Sequence, residues 1–100
     1  MGNTINKGTI YNIVSIKHTK KSEKYITFWR PNNKGYTQII NECGFYAGYQ
    51  DGYHNTEDAI PIEATTVDKI MTFEKFECVV SRYVVKNTPK NRRILGMPAK

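Results

Sequence analysis

Apolar and polar positions alternate most regularly over residues 9–17. Ile10, Val14 and Ile16 share one face there with Asn12, while Tyr11, Ile13 and Ser15 occupy the other. A period of two in a stretch rich in β-branched residues predicts a first strand. The polar residues 1–8 before it are expected to fray. The run His-Thr-Lys-Lys-Ser-Glu-Lys at 18–24 predicts a hairpin loop, and residues 25–30 a second strand. Ile26 and Phe28 lie on one face of that strand, and Tyr25, Thr27 and Trp29 on the other. Bulk on both faces predicts a central strand or one with a face turned to a ligand, so residues 25–36 read as the stretch that organises the chain.

Pro31 has no N–H to donate and ends the second strand. Asn32-Asn33-Lys34-Gly35 then supplies the chemistry of a tight turn, and residues 36–40 predict a short third strand or bridge. Gly44, Gly48 and Gly52 recur among Phe45, Tyr46, Tyr49 and Tyr53. Three glycines weaken any helix by about 1 kcal/mol each, so this part predicts an irregular loop with at most one helical turn. Residues 59–63, which include Pro61, read as a short edge strand. Thr65-Thr66-Val67-Asp68 fits a helix start, leading into a short helix through Ile70 or Met71. Residues 76–86 predict one long strand. Thr88 followed by Pro89 predicts a cap and first turn of a helix that runs to about Leu95 and ends at Gly96. Ile94 and Leu95 are expected to dock on the sheet while Lys90, Arg92 and Arg93 point outward.

These elements make an α+β fold: a small antiparallel sheet of three to five strands with one or two short helices, residues 1–100 forming one domain. The chain of 100 residues is long enough for one modest core. Its charge is ordered in blocks. Residues 1–41 carry +6, residues 42–77 carry −6, and residues 78–100 carry +6. Blocks of opposite sign can compensate once folded, so the net +6 is weak support for a nucleic-acid partner. Cys43 and Cys78 form no disulfide framework and read as free core thiols of a reducing cytoplasm. Neither a secretory signal nor an apolar run of membrane-spanning length is present, so no membrane role is expected.

The segments Ile13-Val14-Ser15-Ile16-Lys17-His18-Thr19, Tyr25 to Pro31, Lys34-Gly35-Tyr36, Gly44-Phe45-Tyr46, Tyr53-His54-Asn55 and Ile60-Pro61 form a series. It resembles a group of small proteins encoded by bacteriophages and prophages. The resemblance covers roughly residues 10–62, with a weaker echo at residues 84–88 and 94–95. It departs from the group's pattern at Cys43-Gly44, where Ala-Gly is usual, and between Tyr46 and Tyr53, where only six residues stand. The resemblance implies a viral setting, and no mechanism; together with the free thiols it makes the host cytoplasm the expected location.

His18, His54, Cys43 and Cys78 lack the close spacing of a zinc site, and two core thiols with two hydrogen-bonding histidines is the plainer reading. Cys43 with His54 has no third orienting group that would mark a nucleophile, and Glu57-Asp58 reads as an exposed turn. Phosphate-loop spacings are absent. No cofactor, metal or catalytic residue is therefore expected, and the chain is not read as an enzyme. The candidate binding residues are Tyr25, Trp29, Arg30, Lys34 and Tyr36, with Arg92 and Arg93 on the C-terminal helix. Flat rings beside cations suit a nucleotide or single-stranded nucleic acid. In the competing reading Trp29 is core and Arg30 pairs with an acid of the middle block, Glu57 or Asp58 first. The leading functional expectation is a phage-encoded interaction protein that binds a host or viral protein stoichiometrically, with inhibition of a host defence as one use. The alternative is a nucleotide or single-stranded nucleic-acid binding module.

Overall fold

The computed structural model describes residues 4–76 and 80–98. The fold is α+β, with a five-stranded antiparallel sheet, a second two-stranded sheet and two short helices. Strand β1, Thr4–Ser15, is the centre of the larger sheet. Along one edge, its residues 11–15 pair with β5, Ala59–Glu63. Along the other edge it meets β4, Tyr46–Gln50, and then β2, Phe28–Trp29, through Val14. Strand β3, Tyr36–Thr37, completes the sheet beside β2. The chain is thus organised around β1, not around residues 25–36. Of the expected second strand only Phe28 and Trp29 join the ladder, and Tyr25 bridges separately to Lys86.

Residues 4–8 are not frayed: Thr4 and Ile5 pair with Gln50 and Tyr49. Their partner was expected to be a loop and is instead strand β4. Glycine suits it because the ladder is interrupted there. Four residues of β1, Asn6 to Thr9, stand opposite Gly48 alone, between the pairs Ile5–Tyr49 and Ile10–Ala47. Gly48 takes φ +79°, and a Cβ on it would lie 2.5 Å from the Ile5 carbonyl oxygen. The glycine is there so that two backbones can touch across a bulge.

Alternation along β1 sends side chains to two different environments. Val14 joins Ile26, Phe28, Ile40, Cys43, Val67, Val85, Leu95 and Met97 in the main core. Helix α1, Ala64–Ile70, covers this side with Val67, and the segment after helix α2, Pro89–Ile94, adds Leu95 and Met97. Tyr11 and Ile13 point the other way, into a smaller cluster with Ala59 on which Trp29, Tyr46 and Tyr49 pack. Among the described residues that cluster draws on β1, β2, β4 and β5 alone, and no helix closes the second face. Asn12, fully buried on the main-core side, donates to the Gly44 carbonyl at 2.9 Å and braces the gap where β2 gives way to β4.

The remaining differences have local causes. Helix α1 starts at Ala64 with Glu63 at the cap position and no side-chain cap, so Thr65 is inside the helix and does not open it. Within the single strand expected over residues 76–86, strand β7 forms at Val80–Val84, and it pairs in antiparallel register with an unexpected strand before that segment, β6, Thr72–Phe76. Thr88 caps α2 as expected, its Oγ1 accepting from Asn91 N at 3.1 Å. Leu95 docks in the core, whereas Ile94 is exposed. Arg92 does not point outward. It is only 6% exposed, donating to the Pro98 carbonyl and to Asn87 Oδ1. Cys43 is a buried core thiol, and Cys78 lies outside the described residues. No helix is long and apolar enough to cross a membrane among the described residues.

Candidate functional site

The face without a helix carries a continuous set of rings. Register makes Trp29 on β2 and Tyr36 on β3 direct cross-strand partners, with ring centroids 6.1 Å apart and planes at 87°. Tyr36 stacks on His18 at 3.9 Å. On the other side of Trp29, Tyr53 stands edge-on at 5.4 Å and His54 at 5.3 Å. Tyr46 lies 5.1 Å from His54. Edge-to-face pairs place a positive ring edge on a negative ring face, contributing about 0.5–1.5 kcal/mol beyond burial. The array is therefore held by its own members. Trp29 is part-buried, while Tyr36 and Tyr53 remain 44% and 47% exposed.

Two loops hold the array in register. The turn between β2 and β3 closes through Arg30 N to the Gly35 carbonyl at 2.8 Å. Asn32, Asn33 and Gly35 all take positive φ, which asparagine and glycine tolerate best. Asn33 N donates to the Tyr46 hydroxyl at 3.0 Å, and that hydroxyl donates to the Arg30 carbonyl. The loop of residues 51–55 is joined to this turn through His54. Its Nδ1 accepts from Gln50 N at 2.9 Å, which leaves Nε2 carrying the proton and donating to Asn33 Oδ1 at 2.9 Å. His54 is 3% exposed, and burial lowers its pKa, favouring the neutral ring this geometry needs. Burial also raises the Tyr46 pKa, against the Asn33 hydrogen bond that lowers it, so the phenol keeps its proton.

The expected binding residues do not converge. Trp29 and Tyr36 belong to the aromatic face, and Lys34 is exposed on the adjoining turn. Tyr25 is buried and outside the ring set, with the Lys24 ammonium 5.6 Å from its ring centroid. Arg30 emerges opposite Trp29 and pairs with a middle-block acid, but that acid is Glu42 at 3.2 Å, not Glu57 or Asp58. Arg82 binds the other Glu42 oxygen at 2.9 Å. Burial pushes the Glu42 pKa up, but hydrogen bonds from Arg82 and Thr37 and the charges of Arg30 and Arg82 outweigh it, leaving the carboxyl below its ordinary value. The Arg30 charge is thus engaged within the protein. Arg92 and Arg93 sit on α2, on the helix-covered side.

His18, Tyr46, Tyr53 and His54 are members of the aromatic face that sequence reasoning did not place there. The signal was Tyr53-His54-Asn55 within the motif series, but its pairing with Asn33 spans 21 positions and no local pattern reveals it. Cys43 and His54 stand on opposite faces of the sheet, and burial raises the Cys43 thiol to about 11. Among the described residues, no three of His, Cys, Asp and Glu gather where a metal ion would sit. No family model, no curated protein and no solved structure matches the chain.

Proposed function

We propose that the chain is a bacteriophage-encoded binding protein that engages a host or viral protein stoichiometrically through the aromatic face of its sheet. The observation that carries this reading is the unequal finish of the two faces. One is closed by helices. The other ends in Trp29, Tyr36, Tyr53 and His18, with both tyrosines about half exposed. Tyrosine and tryptophan dominate the energetics of protein interfaces, and rings already locked against one another lose little entropy on docking. The face suits a protein better than a nucleotide, because Arg30 is held by Glu42 and Lys34 is the one candidate cation left exposed beside the rings. The viral setting rests on the resemblance over residues 10–62 and the host cytoplasm on the unpaired cysteines of the sequence, and inhibition of a host defence is the use that fits a small stoichiometric binder in that setting.

The test is comparative capture. The immobilised chain and its Tyr36→Ser/Tyr53→Ser variant are exposed to the same bacterial lysate. A protein retained by the first near one-to-one stoichiometry and lost by the second is expected. Equal retention by both removes the aromatic face from the account.

A further inference from the structure

Two basic stretches far apart in the chain are held side by side by one residue. Asn87 Nδ2 donates to the carbonyls of Lys20 at 3.0 Å and Glu23 at 2.9 Å, and Asn87 N donates to the Lys24 carbonyl at 3.0 Å. Asn87 leads directly into α2 through the Thr88 cap. The loop of residues 20–24 and the helix therefore share one end of the molecule. Lys20, Lys21 and Lys24 are exposed on the loop, and Lys90 and Arg93 on the helix. Arg92 is not among them, because it is buried and committed to the Pro98 carbonyl and Asn87 Oδ1.

The acids of the middle block do not neutralise these five cations. Among the described residues the ion pairs join Glu42 to Arg30 and Arg82, and Glu74 to Lys86; none reaches Lys20, Lys21, Lys24, Lys90 or Arg93. Glu23 is the one acid in residues 20–24 and 87–95, and it accepts from Gln38 Nε2 at 3.1 Å. The fold thus gathers cations of the first and last charge blocks into one positive field. Its composition separates two kinds of acidic partner. Protein interfaces are depleted in lysine and built round aromatic anchors. Here four of the five cations are lysines, residues 20–24 and 87–95 contain no aromatic ring, and Ile94 is the one large apolar side chain they expose. Mobile ammonium groups suit a row of phosphates, which repeats its charge along a strand and needs no fixed fork geometry. Without a ring to stack on a base, sequence is not read. We infer that this basic end binds the phosphate backbone of a nucleic acid irrespective of sequence. Trp29, Tyr36 and Tyr53 take no part in it, so it is independent of the aromatic face.

The experiment titrates the full chain into labelled oligonucleotides, single-stranded and duplex, each in two sequences, and follows fluorescence anisotropy over a series of salt concentrations. Saturable binding at low salt, alike for the two sequences, is expected. The logarithm of affinity should fall with that of salt by about 0.7 per contact on a single strand and about 0.9 on a duplex. The form bound more tightly identifies the ligand as a strand or a duplex. Lys21→Ala and Lys90→Ala change exposed positions on the loop and the helix. Each is expected to weaken binding about fivefold at low salt and to take one contact from the slope. Lys7→Ala removes the same charge from the half of β1 remote from the loop and is expected to change neither. The inference is overturned if no oligonucleotide binds saturably at low salt, or if Lys21→Ala and Lys90→Ala change nothing. It is equally overturned if Lys7→Ala weakens binding as much as they do. Displacement of the oligonucleotide by poly-glutamate at a lower concentration of charge would overturn it too, assigning the patch to an acidic protein.

Discussion

Replacing Gly48 by alanine separates two costs that a glycine at positive φ can hide. Gly48 takes φ +79° and Gly52 takes φ +81°, so an alanine at either position carries left-handed strain of about 1–2 kcal/mol. Gly52 has open space where its Cβ would go. Gly48 does not: the added carbon meets the Ile5 carbonyl oxygen at 2.5 Å, Thr4 Cγ2 at 2.8 Å and Lys7 Cα at 3.1 Å. Two of these three are backbone atoms, which cannot rotate away, so β1 must shift, at an overpacking cost of about 1–3 kcal/mol more. Gly48→Ala is therefore expected to lose about 2–5 kcal/mol and Gly52→Ala about 1–2 kcal/mol. Urea unfolding followed by circular dichroism measures both. Native-state hydrogen exchange should locate the first loss at the Ile5–Tyr49 pairing. Equal costs for the two variants, or unchanged exchange at Ile5 and Tyr49, would refute the bulge that lets β1 extend along β4.

Two further outcomes follow from burial. The lowered His54 pKa means that the unfolded chain takes up a proton first as pH falls below about 6.5. This contribution to stability is complete above that pH and is lost as pH falls through the folded pKa. Urea midpoints between pH 8 and pH 5 should fall for the wild type and lose most of that slope in His54→Gln. Truncation after Lys86 removes the buried Leu95 and Met97, each contributing about 1.5–3 kcal/mol, so the shortened chain should melt far lower or not fold. An unchanged melting temperature would show that α2 and the segment after it are not part of the core.

Alternation over residues 9–17 was legible because a strand buried on two sides must divide its side chains, and Val14 and Tyr11 do fall into separate clusters. The Thr88 cap and the Gly96 stop were legible for the same kind of reason, since each satisfies a local backbone need. What escaped depended on contacts distant in sequence. Gly48 reads as loop chemistry until the bulge of β1 opposite it is known. Arg92 reads as an outward cation until Asn87 and Pro98 are seen to enclose it. His54 reads as an isolated histidine, although Asn33 and Gln50 make it the link between two loops. Of the candidate site, Trp29, Tyr36 and Lys34 were legible. That Arg30 pairs with an acid of the middle block was legible, but the acid was not, because Glu42 sits in a short 3₁₀ turn that the pattern of residues 36–42 did not announce.

That the face bearing Tyr36 and Tyr53 is a docking surface is tested most directly by measuring partner affinity and unfolding free energy on one protein, Tyr53→Ser. Tyr53 is 47% exposed and touches Trp29 edge-on at 5.4 Å, so its loss should cost no more than about 1 kcal/mol of stability. Affinity for the captured partner should fall tenfold or more, about 1.4 kcal/mol at least. Affinity equal to the wild type's would contradict the account. So would a stability loss of about 3 kcal/mol or more, which would make Tyr53 part of the core and close the face to a partner.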